Sequence, residues 1–223
     1  MKKDLLIKKT SDDIRKKLKG NLIALYLVGS ATSDKKFNDL DFFAVVKKPL
    51  DEKEEYRFID TLTKKHKFRT ALRTISYKNL MGKGKKETFV FKINLFTPQM
   101  LLKILKRGKL VYGNLDLDKI KLKPFLAKQE LRFEIKKLER YIKKYGFYSQ
   151  YFLKNISMLT RAELQMMKKP FTTSYEEMGK LLKNNKKHII HDILAIRHGK
   201  REIDEKFLKK ADAYVKEMKK KAK

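Results

Sequence analysis

Two aspartates, Asp39 and Asp41, stand one residue apart at the start of an apolar run in the sequence NDLDFFAVV. Side chains two residues apart on a β-strand point to the same face, so the two carboxylates are expected to project together. Neighbouring carboxylates repel each other unless a cation lies between them, and a hard divalent ion such as Mg²⁺ or Mn²⁺ binds oxygen ligands. The pair therefore predicts a metal site held by Asp39 and Asp41.

Gly29 and Ser30 directly follow another apolar run, NLIALYLV. A Gly-Ser pair that ends a strand and begins a helix offers backbone N–H groups and a hydroxyl to a phosphate, and the glycine lets the phosphate come close. A phosphate-binding turn beside metal-binding carboxylates is typical of a phosphoryl- or nucleotidyl-transfer site. The alternative is a polar loop next to an acidic strand edge, with no ligand; the joint pattern favours the transfer site.

The residues before position 115 alternate between strand-like and helix-like patterns. Strands are predicted for NLIALYLVG, LDFFAVVKK, FRTALRTISY and TFVFKINLF. A first helix is predicted in SDDIRKKLKG, with Ser11 or Asp12 as its N-cap and Gly20 as its end. This alternation predicts a small sheet covered by helices.

Two further helices carry clear start and stop signals. One is predicted between Asp51 and His66, where the pattern is amphipathic. The other follows Thr97, because threonine is a good N-cap, Pro98 suits the first helical position and Gly108 ends the pattern.

From Pro124 onward the apolar residues recur at helical spacing and no strand-like run remains. They are Leu131, Ile135, Leu138 and Ile142, then Phe152, Ile156, Leu159 and Leu164. Breaks at Gly146, at Pro170 and near Asn184 predict four or five helices packed as a bundle. The fold class is therefore α+β, with a small sheet and helices over residues 1–115 and an all-α bundle over residues 124–223.

Positive charge is the outlying property of the composition. The chain has 57 Lys and Arg residues against 26 Asp and Glu, a net charge of +31, and both halves are basic. Such a surface suits a nucleic-acid partner, because each contacted phosphate releases condensed counterions. A compositional bias toward lysine is the alternative, but it does not explain the shortage of glutamate.

The chain contains no cysteine, which excludes disulfides and thiolate zinc sites and is compatible with a reducing compartment. The N-terminal residues MKKDLLIKKTSDD show no targeting signal, and no run approaches the length of a membrane span. A cytoplasmic protein without a membrane partner is predicted.

Gly29-Ser30, eight intervening residues and then Asp39-Leu40-Asp41 resemble the signature of the polymerase-beta-like nucleotidyltransferase superfamily. The order of elements is similar to that of its compact two-domain members, in which a small mixed sheet precedes a helical bundle like those of aminoglycoside nucleotidyltransferases and HEPN domains. The resemblance implies a Mg²⁺-dependent transfer of a nucleoside monophosphate from an NTP to a hydroxyl. It implies that Asp39 and Asp41 are catalytic metal ligands and that Gly29 and Ser30 bind the nucleotide.

The acceptor and the activation of its hydroxyl stay open at this point. The basic surface favours an RNA acceptor over a small molecule or a protein. The resemblance also implies a third carboxylate on a later strand, but the matching position in FKINLF is Asn94, and an amide cannot act as a general base. A non-catalytic RNA-binding module on an eroded transferase scaffold is therefore the alternative to an active enzyme.

An aromatic stripe crosses the first break in the helical half. Tyr141, Tyr145, Tyr148 and Phe152 recur at helical spacing, with lysines and an arginine between them. Aromatic and basic groups together can stack bases and hold a nucleic-acid backbone. A stripe at helical spacing is more often bundle core, and the pattern favours that interpretation.

Overall fold

The computed structural model describes residues 3–32, 37–83, 96–124, 126–147 and 150–223. The chain divides into two compact units, Met1–Lys123 and Pro124–Lys223. The predicted strand TFVFKINLF, which contains Asn94, lies outside the described residues except for its last residue. Across the described ranges, no helix is both long enough and apolar enough to cross a membrane.

The first unit is built around a mixed four-stranded sheet. Its described elements are α1 (Lys3–Leu18), β1 (Leu22–Val28), β2 (Leu40–Val46), α2 (Glu52–His66), β3 (Thr70–Ser76), α3 (Tyr77–Leu80), α4 (Pro98–Arg107) and β4 (Lys109–Gly113). The strand order is β3-β2-β1-β4. β1 runs antiparallel to β2 and to β4, whereas β2 and β3 are parallel. The predicted α+β class, with a small mixed sheet, is confirmed.

Both faces of the sheet are buried, so β1 and β2 are apolar at nearly every position. Successive side chains of a strand point to opposite faces. Leu25 and Leu27 of β1 enter a core that contains side chains of α1 and α2. Ala24 and Tyr26 enter a second core, with side chains of α4. This double burial fixes the register of β1 and β2, because a slip of one residue would exchange the two sets.

The predicted helix signals near residues 51 and 97 are confirmed. The Asp51 carboxylate accepts a hydrogen bond from the backbone N–H of Glu54 at 2.8 Å, and the Thr97 hydroxyl accepts one from the N–H of Met100 at 3.2 Å. Pro98 occupies the first turn of α4. These side chains satisfy backbone donors that have no partner within the helix.

The predicted start of α1 at Ser11 or Asp12 is wrong. The helix begins at Lys3, because Leu6 and Ile7 are buried in the same core as Ile14. Ser11 therefore lies within the helix, where its hydroxyl donates to the carbonyl of Ile7 at 2.7 Å.

β4 is absent from the predicted strands. Its side chains are largely exposed, with Leu110 43% and Tyr112 37% accessible, so it lacks the buried alternation that marks a strand. Gly113 ends it at φ +88°, where a Cβ atom would lie 2.1 Å from the carbonyl oxygen of Ile23 on β1. Only glycine allows this approach of the two backbones.

The second unit is helical throughout its described elements. These are α5 (Ala127–Tyr145), α6 (Gln150–Met166), α7 (Tyr175–Leu181), α8 (Ile189–Arg197) and α9 (Glu205–Ala222). Their apolar faces form one core, which includes Leu131, Leu138, Ile156 and Leu159 at the predicted positions. The helical character of this half is confirmed.

The aromatic stripe is interrupted, because α5 ends at Tyr145 and Gly146 follows at φ +72°. Phe152 lies in the core with 3% of its surface exposed, whereas Tyr145 is 47% exposed. Tyr148 lies outside the described residues. The prediction that the stripe is core is therefore correct for Phe152 and wrong for Tyr145.

Four charged side chains lie buried between α5 and α6, and we call them the ionic quartet: Glu130, Glu134, Lys137 and Arg161. The Arg161 guanidinium lies 2.7 Å from the Glu134 carboxylate and 3.3 Å from that of Glu130. Lys137 also pairs with Glu134. The two acids and two bases balance, which is what makes burial of four charges tolerable.

A second polar cluster, the Glu163 cluster, joins three helices. Glu163 of α6 accepts hydrogen bonds from His188 at 3.0 Å, from the Tyr214 hydroxyl at 2.8 Å and from Lys221 at 2.7 Å. Burial alone would raise the pKa of Glu163, but these donors outweigh it and lower the pKa from 4.5 to about 2. The carboxylate thus stays ionised and ties α6 to α9.

Lowering the pH should destabilise the folded protein, because the Glu163 carboxylate becomes protonated. A carboxyl whose pKa is lower in the folded state contributes stability above its unfolded value, and this contribution is lost as pH falls from about 4.5 toward 2. We expect the free energy of unfolding of the wild type to fall over this interval by about 2 to 3 kcal/mol more than that of Glu163→Gln.

Urea unfolding at a series of pH values measures this difference. Glu139→Gln is the matched control, because Glu139 is 51% exposed and pairs only at the surface with Lys219. Parallel pH profiles for the wild type and Glu163→Gln would contradict the expectation.

Candidate active site

The end of β1 and the start of β2 bring Gly29 and Asp41 together. The two strands are antiparallel, and Val28 is the register partner of Asp41. The chain therefore leaves β1 at Gly29 directly beside the second residue of β2. Two segments that the sequence singled out separately become neighbours through the pairing of their strands.

The backbone of Gly29 turns toward the Asp41 carboxylate. Gly29 has φ +77°, a conformation that L side chains rarely adopt. A Cβ atom at this position would lie 2.9 Å from Oδ2 of Asp41. Glycine is thus required both for the turn and for the close approach of the acid.

A single 3₁₀ turn, Ser30–Thr32, follows Gly29 among the described residues, where the sequence suggested the start of a helix. The Thr32 hydroxyl donates to the Gly29 carbonyl at 2.7 Å, and the Thr32 backbone N–H donates to the same oxygen at 3.2 Å. Thr32 therefore holds the turn in shape. Sequence reasoning missed this residue; the signal it offers is a threonine hydroxyl, which can hydrogen-bond to nearby backbone groups in a turn.

Asp39 lies immediately before β2. The next residue, Leu40, is held in place by a hydrogen bond from its backbone N–H to the Arg69 carbonyl at 3.0 Å. Asp39 and Asp41 are half-buried, whereas Gly29 and Ser30 are exposed. A ligand can therefore reach the turn and both acids from solvent.

The donor set suits a hard cation only in part. Among the described residues, no group of three or more His, Asp or Glu side chains is placed to hold a metal ion by itself. Asp39 and Asp41 offer carboxylate oxygens, and Mg²⁺ commonly binds one or two carboxylates together with substrate phosphates and water. The pair fits an ion that arrives with a phosphate ligand better than a permanently bound one.

Comparison with known proteins gives structural matches. A spectinomycin adenyltransferase from Enterococcus faecialis, solved with ATP and spectinomycin, aligns with a TM-score of 0.67 over 96% of this chain and 98% of its own, at 22% identity. This likeness establishes a shared fold across both units. No family model and no curated protein sequence matches the chain.

Two toxin–antitoxin structures align more weakly. One is described as a toxin–antitoxin mutant, with a TM-score of 0.36 and 14% identity over 72% of this chain and 93% of its own. The other is a tri-AMPylated HEPN toxin from Shewanella oneidensis in complex with its MNT antitoxin, with a TM-score of 0.33 and 14% identity over 74% and 95%. TM-scores of this size do not establish a common fold.

Proposed function

We propose that this chain, which has the fold of the polymerase-beta-like nucleotidyltransferases with a helical C-terminal part, transfers a nucleoside monophosphate from an NTP to a hydroxyl. The observation that supports this most is the placement of Gly29 against Asp41 at the mouth of the two central strands. A turn that admits a phosphate then lies beside an acid that can hold the accompanying cation.

The four site residues act as two pairs in this proposal. Gly29 and Ser30 hold the β- and γ-phosphates through the exposed turn. Asp39 and Asp41 hold Mg²⁺, or Mn²⁺ in its place, which when bound neutralises charge on the phosphates. The acceptor oxygen forms a bond to the α-phosphorus while the bond from that phosphorus to the bridging oxygen breaks. Pyrophosphate leaves, and the acceptor proton passes to water.

Charge favours RNA as the acceptor, since both halves of the chain are strongly basic and the total is +31. The spectinomycin adenyltransferase match favours a second candidate acceptor, a small molecule, because that protein was solved with ATP and spectinomycin and its fold matches 96% of this chain. We place the reaction in the cytoplasm, because a chain without cysteine forms no disulfides and is compatible with a reducing compartment.

The test is incubation of the full chain with each labelled NTP and Mg²⁺ in the presence of total RNA, spectinomycin, or no added acceptor. Labelled RNA supports the RNA acceptor, and a labelled small product supports the second candidate. Absence of label with all acceptors, together with tight and salt-sensitive RNA binding, would overturn transfer in favour of a non-catalytic RNA-binding module.

Asn94→Asp belongs in the same assay. Asn94 lies outside the described residues, and the resemblance to the nucleotidyltransferase superfamily implies a third carboxylate at its position. A faster reaction in this variant would show that proton removal from the acceptor limits the wild-type rate.

Gly29→Ala should lower the transfer rate by roughly tenfold or more, because its new methyl group would displace the Asp41 carboxylate. The strained φ should also cost about 1 kcal/mol of stability. Initial rates and urea unfolding measure the two effects separately.

Gly199→Ala is the matched control for Gly29→Ala. Gly199 also has a positive φ, +68°, but nothing lies within 4 Å of the position that an added methyl group would take. We expect a similar loss of stability and an unchanged rate. Equal losses of rate in both variants would show that backbone strain, not contact with Asp41, is responsible.

A further inference from the structure

Three tyrosine rings meet at the junction of α5 and α6, and we call them the tyrosine surface: Tyr141, Tyr145 and Tyr151. The ring centroids of Tyr145 and Tyr151 lie 5.3 Å apart and nearly parallel, at 28°. Tyr141 lies 5.6 Å from Tyr145 and 6.1 Å from Tyr151. Tyr145 is 47% exposed and Tyr151 48%. The cluster is therefore ordered by its own ring contacts while it still faces solvent.

The bundle core does not account for this cluster. The adjacent aromatic Phe152 fills the core against Phe207, so the second unit already has its aromatic packing at this end. Aromatic side chains that stay exposed to water give up part of the stabilisation that burial of their apolar surface would provide. An exposed, pre-stacked group of rings suits a ligand that is itself planar.

The chain segment that carries the rings is basic. Residues 140–155 include Arg140, Lys143, Lys144 and Lys154 and contain no Asp or Glu. The Lys144 ammonium lies 5.0 Å from the centre of the Tyr145 ring. Lys154 is exposed one helical turn after Tyr151, on the same side of α6. A ligand on the rings would therefore meet the Lys144 ammonium, with Lys154 exposed nearby on α6.

The positive charges also reach the hydroxyl of the innermost ring. Burial, together with the neighbouring tyrosines, raises the pKa of Tyr141, and the charges of Arg140 and Lys144 act in the opposite direction. These charge effects agree with the contact of Lys144 with the Tyr145 ring.

We infer that the tyrosine surface binds single-stranded RNA, with unpaired bases stacked on the rings and phosphates held by the surrounding lysines. Stacking on aromatic side chains with cations along the backbone is how single-stranded nucleic acid is bound without sequence preference. A duplex hides its bases from such rings, and an acidic peptide would use the cations but not the rings. The choice of RNA rests on the proposed function, in which RNA is the acceptor.

The experiment uses the full chain without NTP or metal and a fluorescein-labelled single-stranded RNA of about 12 nucleotides, with affinity read from fluorescence anisotropy. We expect Tyr145→Leu combined with Tyr151→Leu to weaken binding by roughly 5- to 100-fold. Lys144→Gln should reduce the slope of log K against log salt concentration by about one.

Tyr112→Leu is the matched control, because Tyr112 is also an exposed tyrosine, 37% accessible, with the Arg15 guanidinium 4.3 Å from its ring, but it belongs to the first unit. The affinity of the Tyr112→Leu variant for the RNA should equal that of the wild type. Wild-type affinity in the tyrosine double variant would overturn the inference, as would an equal loss in Tyr112→Leu or equally tight binding of duplex RNA or polyglutamate.

The Lys144→Gln variant keeps the test decisive if the double variant loses its circular dichroism signal, since an unchanged salt slope also overturns the inference. The binding assay contains no NTP and is therefore independent of transfer. RNA binding here, combined with no label in the transfer assay, contradicts only the proposed reaction. Transfer to RNA with unchanged affinity in the tyrosine variant contradicts only the assignment of this surface.

Discussion

Asp41→Asn is expected to lower the rate of nucleotidyl transfer by roughly a thousandfold or more, since a metal-held phosphate site contributes several kcal/mol of charge stabilisation. The change keeps the size of the side chain but removes the negative charge that would hold the cation. Asp41 is also the acid that lies against the Gly29 turn, so in the proposed mechanism its loss would separate the cation from the phosphates. Initial rates with labelled NTP at saturating Mg²⁺ measure the effect.

The matched control is Asp60→Asn. Asp60 lies on the exposed face of α2, where its side chain is 61% accessible and pairs with Lys64. We expect its rate to stay within a factor of two of the wild type, because an exposed pair of this kind contributes well under 1 kcal/mol. Both variants should show wild-type circular dichroism. An Asp41→Asn protein that is folded and retains a tenth of the activity would exclude Asp41 as a metal ligand.

Asp39→Asn should behave differently from Asp41→Asn. Asp39 precedes β2, whereas the three atoms nearest to an added Gly29 Cβ all belong to Asp41, so loss of Asp39 should weaken metal binding more than it disturbs the phosphates. The rate should then recover partly as the Mg²⁺ concentration rises. Identical Mg²⁺ dependence in the two variants would mean that the acids are equivalent.

Arg161→Leu is expected to destabilise the second unit by about 3 to 5 kcal/mol, the cost of leaving buried charge without its partner. The side chain is 1% exposed and lies between the Glu130 and Glu134 carboxylates. After its removal, Lys137 is the remaining cation of the ionic quartet. Urea unfolding followed by circular dichroism at 222 nm, a helix signal, measures the loss.

Removing the whole ionic quartet should be far less damaging than removing one member. Replacement of all four residues by leucine leaves no unpaired charge, so we expect stability within about 1 to 2 kcal/mol of the wild type. Lys216→Met is the surface control, because Lys216 is 71% exposed in its pair with Asp212. If Arg161→Leu costs no more than Lys216→Met, charge balance does not govern this part of the core.

Local sequence signals predicted much of the fold because their physical cause is local. Thr97, Pro98 and Gly108 act on the backbone groups nearest to them, and α4 begins and ends where they indicate. Ser11 carries a local signal of the same kind, and here the signal predicted the wrong helix start. Its hydroxyl can cap a helix, but Leu6 and Ile7 bury their side chains and extend α1 past it, which depends on the tertiary core.

Features that depend on distant partners could not be predicted in this way. β4 is a strand because β1 offers it backbone hydrogen bonds. Val111 and Tyr112 favour a strand, but KLVYG lacks the buried alternation that would identify one. Tyr145 departs from the core because Gly146 ends its helix, so the spacing from Tyr141 to Phe152 does not describe one continuous face.

The candidate site also has features that the sequence predicted and one contact that it did not. The types and spacing of Gly29, Ser30, Asp39 and Asp41 already indicated phosphate and metal chemistry. Their roles stay proposals until the variants are tested. The contact between Gly29 and the Asp41 carboxylate follows from the pairing of Val28 with Asp41, which sequence spacing does not specify.

The order of the sheet, β3-β2-β1-β4, also bears on how the chain folds. β1 and β2 are neighbours in sequence and pair as an antiparallel hairpin, so closing their loop costs little chain entropy. β4 must return from residue 109 to reach β1, which makes it a slower, non-local contact. We expect the hairpin to form early and β4 to join late. Gly29 and Asp41 would then meet in the first part of the sheet to fold, during synthesis as well as in refolding, before the helical half has left the ribosome.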